Sequence, residues 1–215
     1  MSRRSRLLLI CPRFFGYHEA ILSAAERLGI EATWIEDRGG WSWPYKIGLK
    51  VLPTLTRNMT QQPALDRIEA LEKPQEIDHV LIVKGDGLSV ATLQLLKSRL
   101  SNAKISLYLW DNAKNIPGIE RLAAVCDRVL TFDPGDSHKS GWSFLPLFSR
   151  FSPRAPQLTE NLPYDWSFIG SLHSDRHLVL RGLVKANPQL KYFVHCYSQN
   201  VMAGFLRSYR DPAAV

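Results

Sequence analysis

With 215 residues, of which 45% are hydrophobic, 10% aromatic and 22% charged, the chain has the make-up of a globular protein and not of a disordered one. Its length suits one well-buried core and is marginal for two, because domains run to ~100–200 residues. The net charge of +7 favours anionic surroundings, but the basic residues are scattered and form no nucleic-acid-binding signature, so no nucleic acid partner is expected.

The basic start, Met1 to Arg6, leads into Leu7 to Ile10, but Pro12 and Arg13 interrupt the apolar run before it can serve as a signal peptide. No segment approaches the ~20 apolar residues of a membrane span, and a cytoplasmic protein, at most at the inner face of the plasma membrane, is expected. Cys11, Cys126 and Cys196 are odd in number, far apart and set among apolar residues, as reduced core thiols are.

Arg6 to Cys11 reads as a strand ending in the loop from Pro12 to Gly16. Apolar residues then fall at helical spacing through Ala20, Ile21, Ala24, Ala25 and Leu28, with Gly29 placed as a cap. A strand over Glu31–Ile35 leads to an aromatic loop with Trp41, Trp43 and Tyr45, followed by helices around Ile47–Thr56 and Gln62–Leu71. Next come a strand over His79–Lys84 and a helix from Ser89, a suitable N-cap, to Leu100. A strand from Lys104 to Trp110, a helix around Ile116–Val125, a strand over Arg128–Phe132, a turn at Asp133–Asp136 and a short strand near Phe144 complete this half. Strands that are nearly unbroken apolar runs, alternating with helices, predict an α/β fold with a parallel sheet covered on both faces.

Residues 148–163 are rich in proline, serine and arginine and read as a linker. It separates a domain over 1–147 from residues 164–215, where a strand at Trp166–Ile169, a helix from Asp175 to Lys185, a strand at Lys191–Cys196 and a helix around Gln199–Tyr209 are expected.

Open parallel sheets bind ligands at the carboxyl ends of their strands, where helix N-termini present free amides. The first such loop holds only Gly16, so the three-glycine dinucleotide fingerprint is missing and a dehydrogenase is not expected. His18 falls in the first helical turn, where the dipole disfavours the protonated ring by ~0.3–1 kcal/mol, and is a candidate base; a solvated histidine is the alternative. Asp111 follows a strand and is the second candidate, as proton acceptor or as a holder of sugar hydroxyls, with an N-cap or turn role as the alternative.

Arg13, Gly16, Tyr17, Lys84, Gly85, Trp110, Asn115 and Asp133 complete the candidate substrate-binding set. Asp133 and Asp136 flank Pro134 and Gly135, which also reads as plain turn chemistry. The tryptophan loop suits either stacking on a sugar or base, or a platform for another domain or a membrane. Gly170 and Ser171 read as a turn after a strand, and with Ser174 and Arg176 at a helix start they would suit a diphosphate; a glycine turn with a serine cap is the alternative. No metal-ligand spacing occurs and the six histidines do not cluster, so no metal is expected.

Six segments in this order resemble one family: Leu9 to Tyr17, Val83 to Gly85, Leu107 to Asp111, Leu130 to Pro134, Leu145 to Phe148, and Phe168 to Arg176. They are similar to the bacterial glycosyltransferase-like proteins of the spore-maturation (CgeB-type) and lipopolysaccharide-biosynthesis kind, with GT-B architecture. The resemblance implies a Rossmann-like acceptor-side domain followed by a Rossmann-like donor-side domain, a nucleotide-sugar donor as co-substrate, a cell-envelope glycan or lipid-linked acceptor, and no metal or cofactor. It also implies further strands and a donor loop that this sequence lacks, so only the first half of the second domain is expected. A transferase, truncated and inactive or not, is one reading; a non-catalytic glycan- or partner-binding derivative is the other. The second reading brings with it a homodimer through exposed strand edges, and peripheral membrane contact accompanies a lipid-linked acceptor.

Overall fold

A computed structural model describes residues 3–37, 48, 51–52, 55–56, 59, 61–151, 162–171 and 175–197, and the chain divides into two compact units, Met1–Ser152 and Pro153–Val215. The first unit holds β1 (Arg6–Ile10), α1 (Tyr17–Arg27), β2 (Glu31–Ile35), α2 (Gln62–Glu69), β3 (His79–Val83), α3 (Val90–Arg99), β4 (Lys104–Leu109), α4 (Ile119–Ala123), β5 (Arg128–Thr131), α5 (Pro134–Ser140) and β6 (Ser143–Phe144). Its strands form one sheet in the order β2-β1-β3-β4-β5-β6, and every pair is parallel.

Side chains alternate across this sheet, which explains why its central strands are apolar at nearly every position. Leu8, Ile10, Val80, Ile82, Ile105, Leu107 and Leu109 are buried with Ala64 and Ile68 of α2, Leu93 and Leu96 of α3, and Ile119 and Leu122 of α4. On the opposite face Leu9, Cys11 and Val83 pack with Ile21 and Leu22 of α1, Trp34 and Trp110. Helix α3 starts as its sequence predicts: the Ser89 hydroxyl accepts the Thr92 amide at 3.2 Å. Gly29 likewise ends α1 with φ 73°.

At the amino ends of the strands a set of charges closes the sheet. The Arg6 guanidinium reaches Glu31 at 2.7 Å and Glu76 at 2.6 Å, and Asp78 accepts the Arg6 amide at 2.8 Å while also pairing with Arg3. Ligands are not expected at this edge, and these contacts join β1, β2 and the approach to β3.

Two local expectations are corrected. Asp133–Asp136 is the start of α5 and no isolated turn: Asp133 Oδ1 accepts the amides of Gly135 (2.7 Å) and Asp136 (3.0 Å), and Pro134 takes the first helical position, where its missing N–H costs nothing. The helix expected from Ile116 is confined to Ile119–Ala123, because Gly118 (φ 76°) turns the chain immediately before it. Of the helix expected at 47–56, Leu52 and Thr56 donate their amides to the Gly48 and Leu52 carbonyls, and residues 47, 49–50 and 53–54 lie outside those described.

The second unit, by itself, is a βαβ element: β7 (Trp166–Ser171), α6 (Arg176–Ala186) and β8 (Tyr192–Tyr197), with the two strands parallel. Asp165 accepts the Lys191 amide at 2.7 Å, and the Trp166 and Tyr192 rings stack at 5.4 Å. Ile169, Leu178, Val179 and Leu183 are exposed, and α6 buries none of its residues. A parallel strand pair joined through a helix is the Rossmann-like βαβ unit. The expected helix at 199–209 lies outside the described residues.

Candidate functional site

The strand order reverses between β1 and β3, since the chain leaves β1 to one side and returns to its other side, and such a switch point opens a crevice at the carboxyl edge. Both loops that border it carry backbone conformations that side chains rarely adopt. Phe15 (φ 44°) and Gly16 (φ 71°) follow β1, and Lys84 (φ 67°) and Gly85 (φ 74°) follow β3. Non-glycine residues held at positive φ each cost on the order of 1–3 kcal/mol and gather at functional sites. Glycine is required at position 85, because a Cβ there would lie 2.8 Å from Leu107 Cδ1 and 3.2 Å from Leu122 Cδ2, both in the core. The turn after β3 is thus pressed onto the sheet, and Lys84 is carried to the rim with it.

A pocket of about 270 Å³ lies at this edge, lined by Phe14 and Tyr17 after β1, Lys84 after β3, Trp110 and Asp111 after β4, and Leu147 and Phe148 after β6. Aromatic rings form its wall: Tyr17 meets Trp110 edge-on at 5.1 Å and Phe148 at 5.5 Å, and Trp110 meets Phe148 at 5.7 Å. Two charges of opposite sign interrupt this wall. The Lys84 ammonium lies 5.8 Å above the Phe14 ring and 3.6 Å from Asp86. Asp111 is half-buried, and its Oδ1 accepts the Asn112 amide at 3.0 Å and the Asn115 side-chain amide at 2.9 Å; among the described residues both of these bonds go to the one oxygen.

The pocket therefore brings together Tyr17, Lys84, Trp110 and Asp111 from the candidate set, with Gly16, Gly85 and Asn115 shaping the loops that carry them. Gly16 is the N-cap of α1, and a Cβ there would fall 2.5 Å from Arg150 Nη1. His18 is not brought there. Expected on the rim, it is buried against β2, its ring 4.3 Å from that of Trp34, with Nε2 3.7 Å from Glu19. Arg13 goes the same way, its guanidinium 5.4 Å over the Trp34 ring. The physical reason is that Trp34 presents a broad apolar face beside α1, and its indole N–H is fixed on the Cys11 carbonyl at 2.8 Å. Asp133 spends one oxygen on the α5 cap and the other on Asn112, which links the loops after β4 and β5. Asp136 reinforces that link by accepting the Ala113 amide at 2.7 Å.

Phe14, Leu147 and Phe148 escaped the sequence reading as pocket residues. Phe148 begins the proline-, serine- and arginine-rich stretch that reads as a linker, yet the Tyr108 hydroxyl donates to the Pro146 carbonyl at 2.8 Å and lays this segment over the sheet edge. The apolar content of Leu145 to Phe148 was the available signal.

In the second unit, Gly170 and Ser171 do not form the expected turn. They continue β7, paired with Cys196 and Tyr197 of β8, because the partner strand extends as far and completes their ladder. Arg176 Nη1 donates to the Ser171 carbonyl at 3.1 Å, so the guanidinium is folded back on the strand end. Ser174, like Trp41, Trp43 and Tyr45, lies outside the described residues. Among the described residues no group of three or more histidine, cysteine or acidic side chains is arranged to hold a metal ion, and no helix is long and apolar enough to cross a membrane.

No family profile matches the sequence, and no curated protein matches it. Solved structures do. A UDP-glucosyltransferase from Polygonum tinctorium, capable of glucosylating indoxyl and solved with 3,4-dichloroaniline, is similar with a TM-score of 0.50 and 11% identity, over 96% of this chain and 69% of that one. A response regulator from Thermotoga maritima (TM-score 0.37, 12% identity, 59% of this chain and 84% of that chain) and the receiver domain of Francisella response regulator 1452 (0.34, 18%, 58% and 82%) are also similar. At these identities the first likeness concerns the fold alone, an α/β arrangement of Rossmann-like sheets.

Proposed function

We propose that the chain is a glycosyltransferase of GT-B type that takes a sugar from a nucleotide-sugar donor, with the aromatic pocket of the first unit as its acceptor side. The observation that carries this reading is Asp111: a carboxylate at the carboxyl end of β4, half-buried, in the wall of a ligand-sized pocket at the switch point of the sheet. The fold likeness to a UDP-glucosyltransferase, which runs through both units, supports it.

In this mechanism an acceptor hydroxyl rests on the aromatic wall and passes its proton to Asp111 as its oxygen attacks the anomeric carbon of the donor. The bond from that carbon to the diphosphate breaks, and the nucleoside diphosphate leaves with the electron pair. His18, packed on Trp34, has no part in the step. A cell-envelope glycan or lipid-linked acceptor, peripheral membrane contact and a role in lipopolysaccharide assembly rest on the sequence resemblance.

The test is a transfer assay with a panel of nucleotide sugars and hydroxyl acceptors on the full chain. Turnover that falls by about 10²-fold or more in Asp111→Asn, and little in His18→Ala, is the expected result for loss of a general base. Equal turnover in Asp111→Asn and the parent would overturn the assignment. Saturable ligand binding with no turnover for any donor would favour the non-catalytic binding protein.

A further inference from the structure

Resting on the acceptor-side reading of this pocket, we infer that its ligand is a flat, mostly apolar ring bearing one acidic hydroxyl, a phenol or hydroxylated heteroaromatic, and not a free sugar. Three features of the pocket carry this.

The first is the scarcity of polar partners. Phe14, Leu147 and Phe148 are apolar, and the charged or hydrogen-bonding side-chain groups of the wall are those of Lys84, Asp111, Tyr17 and Trp110, whose indole N–H is buried with no hydrogen-bond partner among the described residues. A monosaccharide buried here would lose water from several hydroxyls and regain few bonds, and each unsatisfied group costs ~1–3 kcal/mol. A ring with a single hydroxyl leaves nothing unmatched when that hydroxyl meets Asp111.

The second is shape. Tyr17 stands nearly perpendicular to both Trp110 and Phe148, with interplanar angles of 73° and 81°. Rings in mutual edge-to-face contact present both faces and edges along the pocket wall, and aromatic guests gain from offset-stacked or edge-to-face contact with them. The volume of about 270 Å³ suits one or two fused rings.

The third is the strength of base available. With His18 withdrawn onto Trp34, the proton acceptor at the pocket is a carboxylate, a weaker base than imidazole. A phenolic hydroxyl, with a pKa of ~10 as in tyrosine, yields its proton to such a base far more readily than an aliphatic alcohol, which is nearly as weak an acid as water at ~16. The Lys84 ammonium in the same wall favours the negative oxygen as it forms. The step balances as one O–C bond made to the anomeric carbon, one C–O bond broken to the diphosphate, and one proton moved to Asp111.

Equilibrium binding to the full chain, read by tryptophan fluorescence and by calorimetry, tests this with 7-hydroxycoumarin, coumarin and methyl glucoside. The expected result is saturable binding of 7-hydroxycoumarin, about tenfold tighter than coumarin, no competition from methyl glucoside, and loss of the tenfold preference in Asp111→Asn. Coumarin binding retained by that variant certifies that it is folded, and Phe148→Ala should weaken both coumarins alike. Tighter binding of methyl glucoside, no binding of either coumarin, or an undiminished preference in Asp111→Asn would each overturn the inference. Adding nucleotide sugars separates the two readings. Bound 7-hydroxycoumarin that no donor converts to a glycoside sinks the transferase and leaves the ligand class standing, whereas transfer to a glycan by a chain that ignores coumarins does the reverse.

Discussion

Tyr108 donates its hydroxyl hydrogen to the Pro146 carbonyl at 2.8 Å, and together with the Leu145 amide, which donates to the Thr131 carbonyl at 2.9 Å, this bond fastens the chain leaving β6 across the carboxyl edge of the sheet. Phe148 reaches Tyr17 and Trp110 as a consequence, and the pocket gains its fourth side. Tyr108→Phe keeps the ring and removes the bond. It should cost ~0.5–1.5 kcal/mol in urea unfolding and weaken ligands of the pocket, which fluorescence titration would register. Burial raises the Tyr108 pKa above its usual value, so the neutral phenol is favoured in the fold. Its stabilisation is complete below the unfolded tyrosine pKa of ~10 and is lost as pH rises beyond it towards the folded value, a loss that Tyr108→Phe should not show.

Gly85→Ala confronts the core directly. Its φ of 74° is unfavourable for an L side chain, and the new methyl would press on Leu107 and Leu122. The two effects together should destabilise by roughly 2–4 kcal/mol, seen as a lower urea midpoint at unchanged slope. An effect below ~0.5 kcal/mol would mean that the turn after β3 is not pressed onto the sheet as described.

Asp78 is held below the usual carboxylate range, chiefly by the Arg6 backbone amide and further by the Arg3 charge. Its contribution is present above the unfolded value of ~3.9 and disappears as pH falls through the lower folded value. Asp78→Asn should therefore be less stable than the parent at neutral pH, and the difference should shrink on acidification. Thermal melts from neutral pH down to about pH 2 would trace it.

Cys126 is pushed up to about 12, mainly by burial. The thiolate is the reactive form, so at pH 8 this thiol should react with a disulfide reagent roughly a thousandfold more slowly than an unfolded cysteine, and at the unfolded rate once denaturant is added. Mass spectrometry of the modified chain would assign the site. Rapid native labelling of Cys126 would contradict its packing beside α3 and α4.

Much of the architecture was legible in the sequence because its signals are local. Nearly unbroken apolar runs marked β1, β3 and β4, Glu31–Ile35 is legible to the residue, and Ser89 announces α3, since strand burial on two faces and N-cap chemistry each need only a few consecutive residues. Helix α5 was missed although its signals were equally local, because Asp-Pro-Gly-Asp serves a turn and a helix start alike, and only the intact first turn distinguishes them.

The candidate site was legible as a set of loops and not as a set of partners. The amino-acid order alone determined that Lys84 and Trp110 lie at strand ends and that Tyr17 and Asp111 lie beyond them, and hence that all four share one edge of a parallel sheet. Tertiary packing decided which of their neighbours join them: that β3 lies beside β1, that His18 and Arg13 turn to Trp34, and that Phe148 returns to cover Trp110. Strand and helix signals are carried by backbone conformation within a few residues, whereas the direction of a side chain at a strand end depends on the surface offered by residues distant in sequence, and no local pattern encodes that surface.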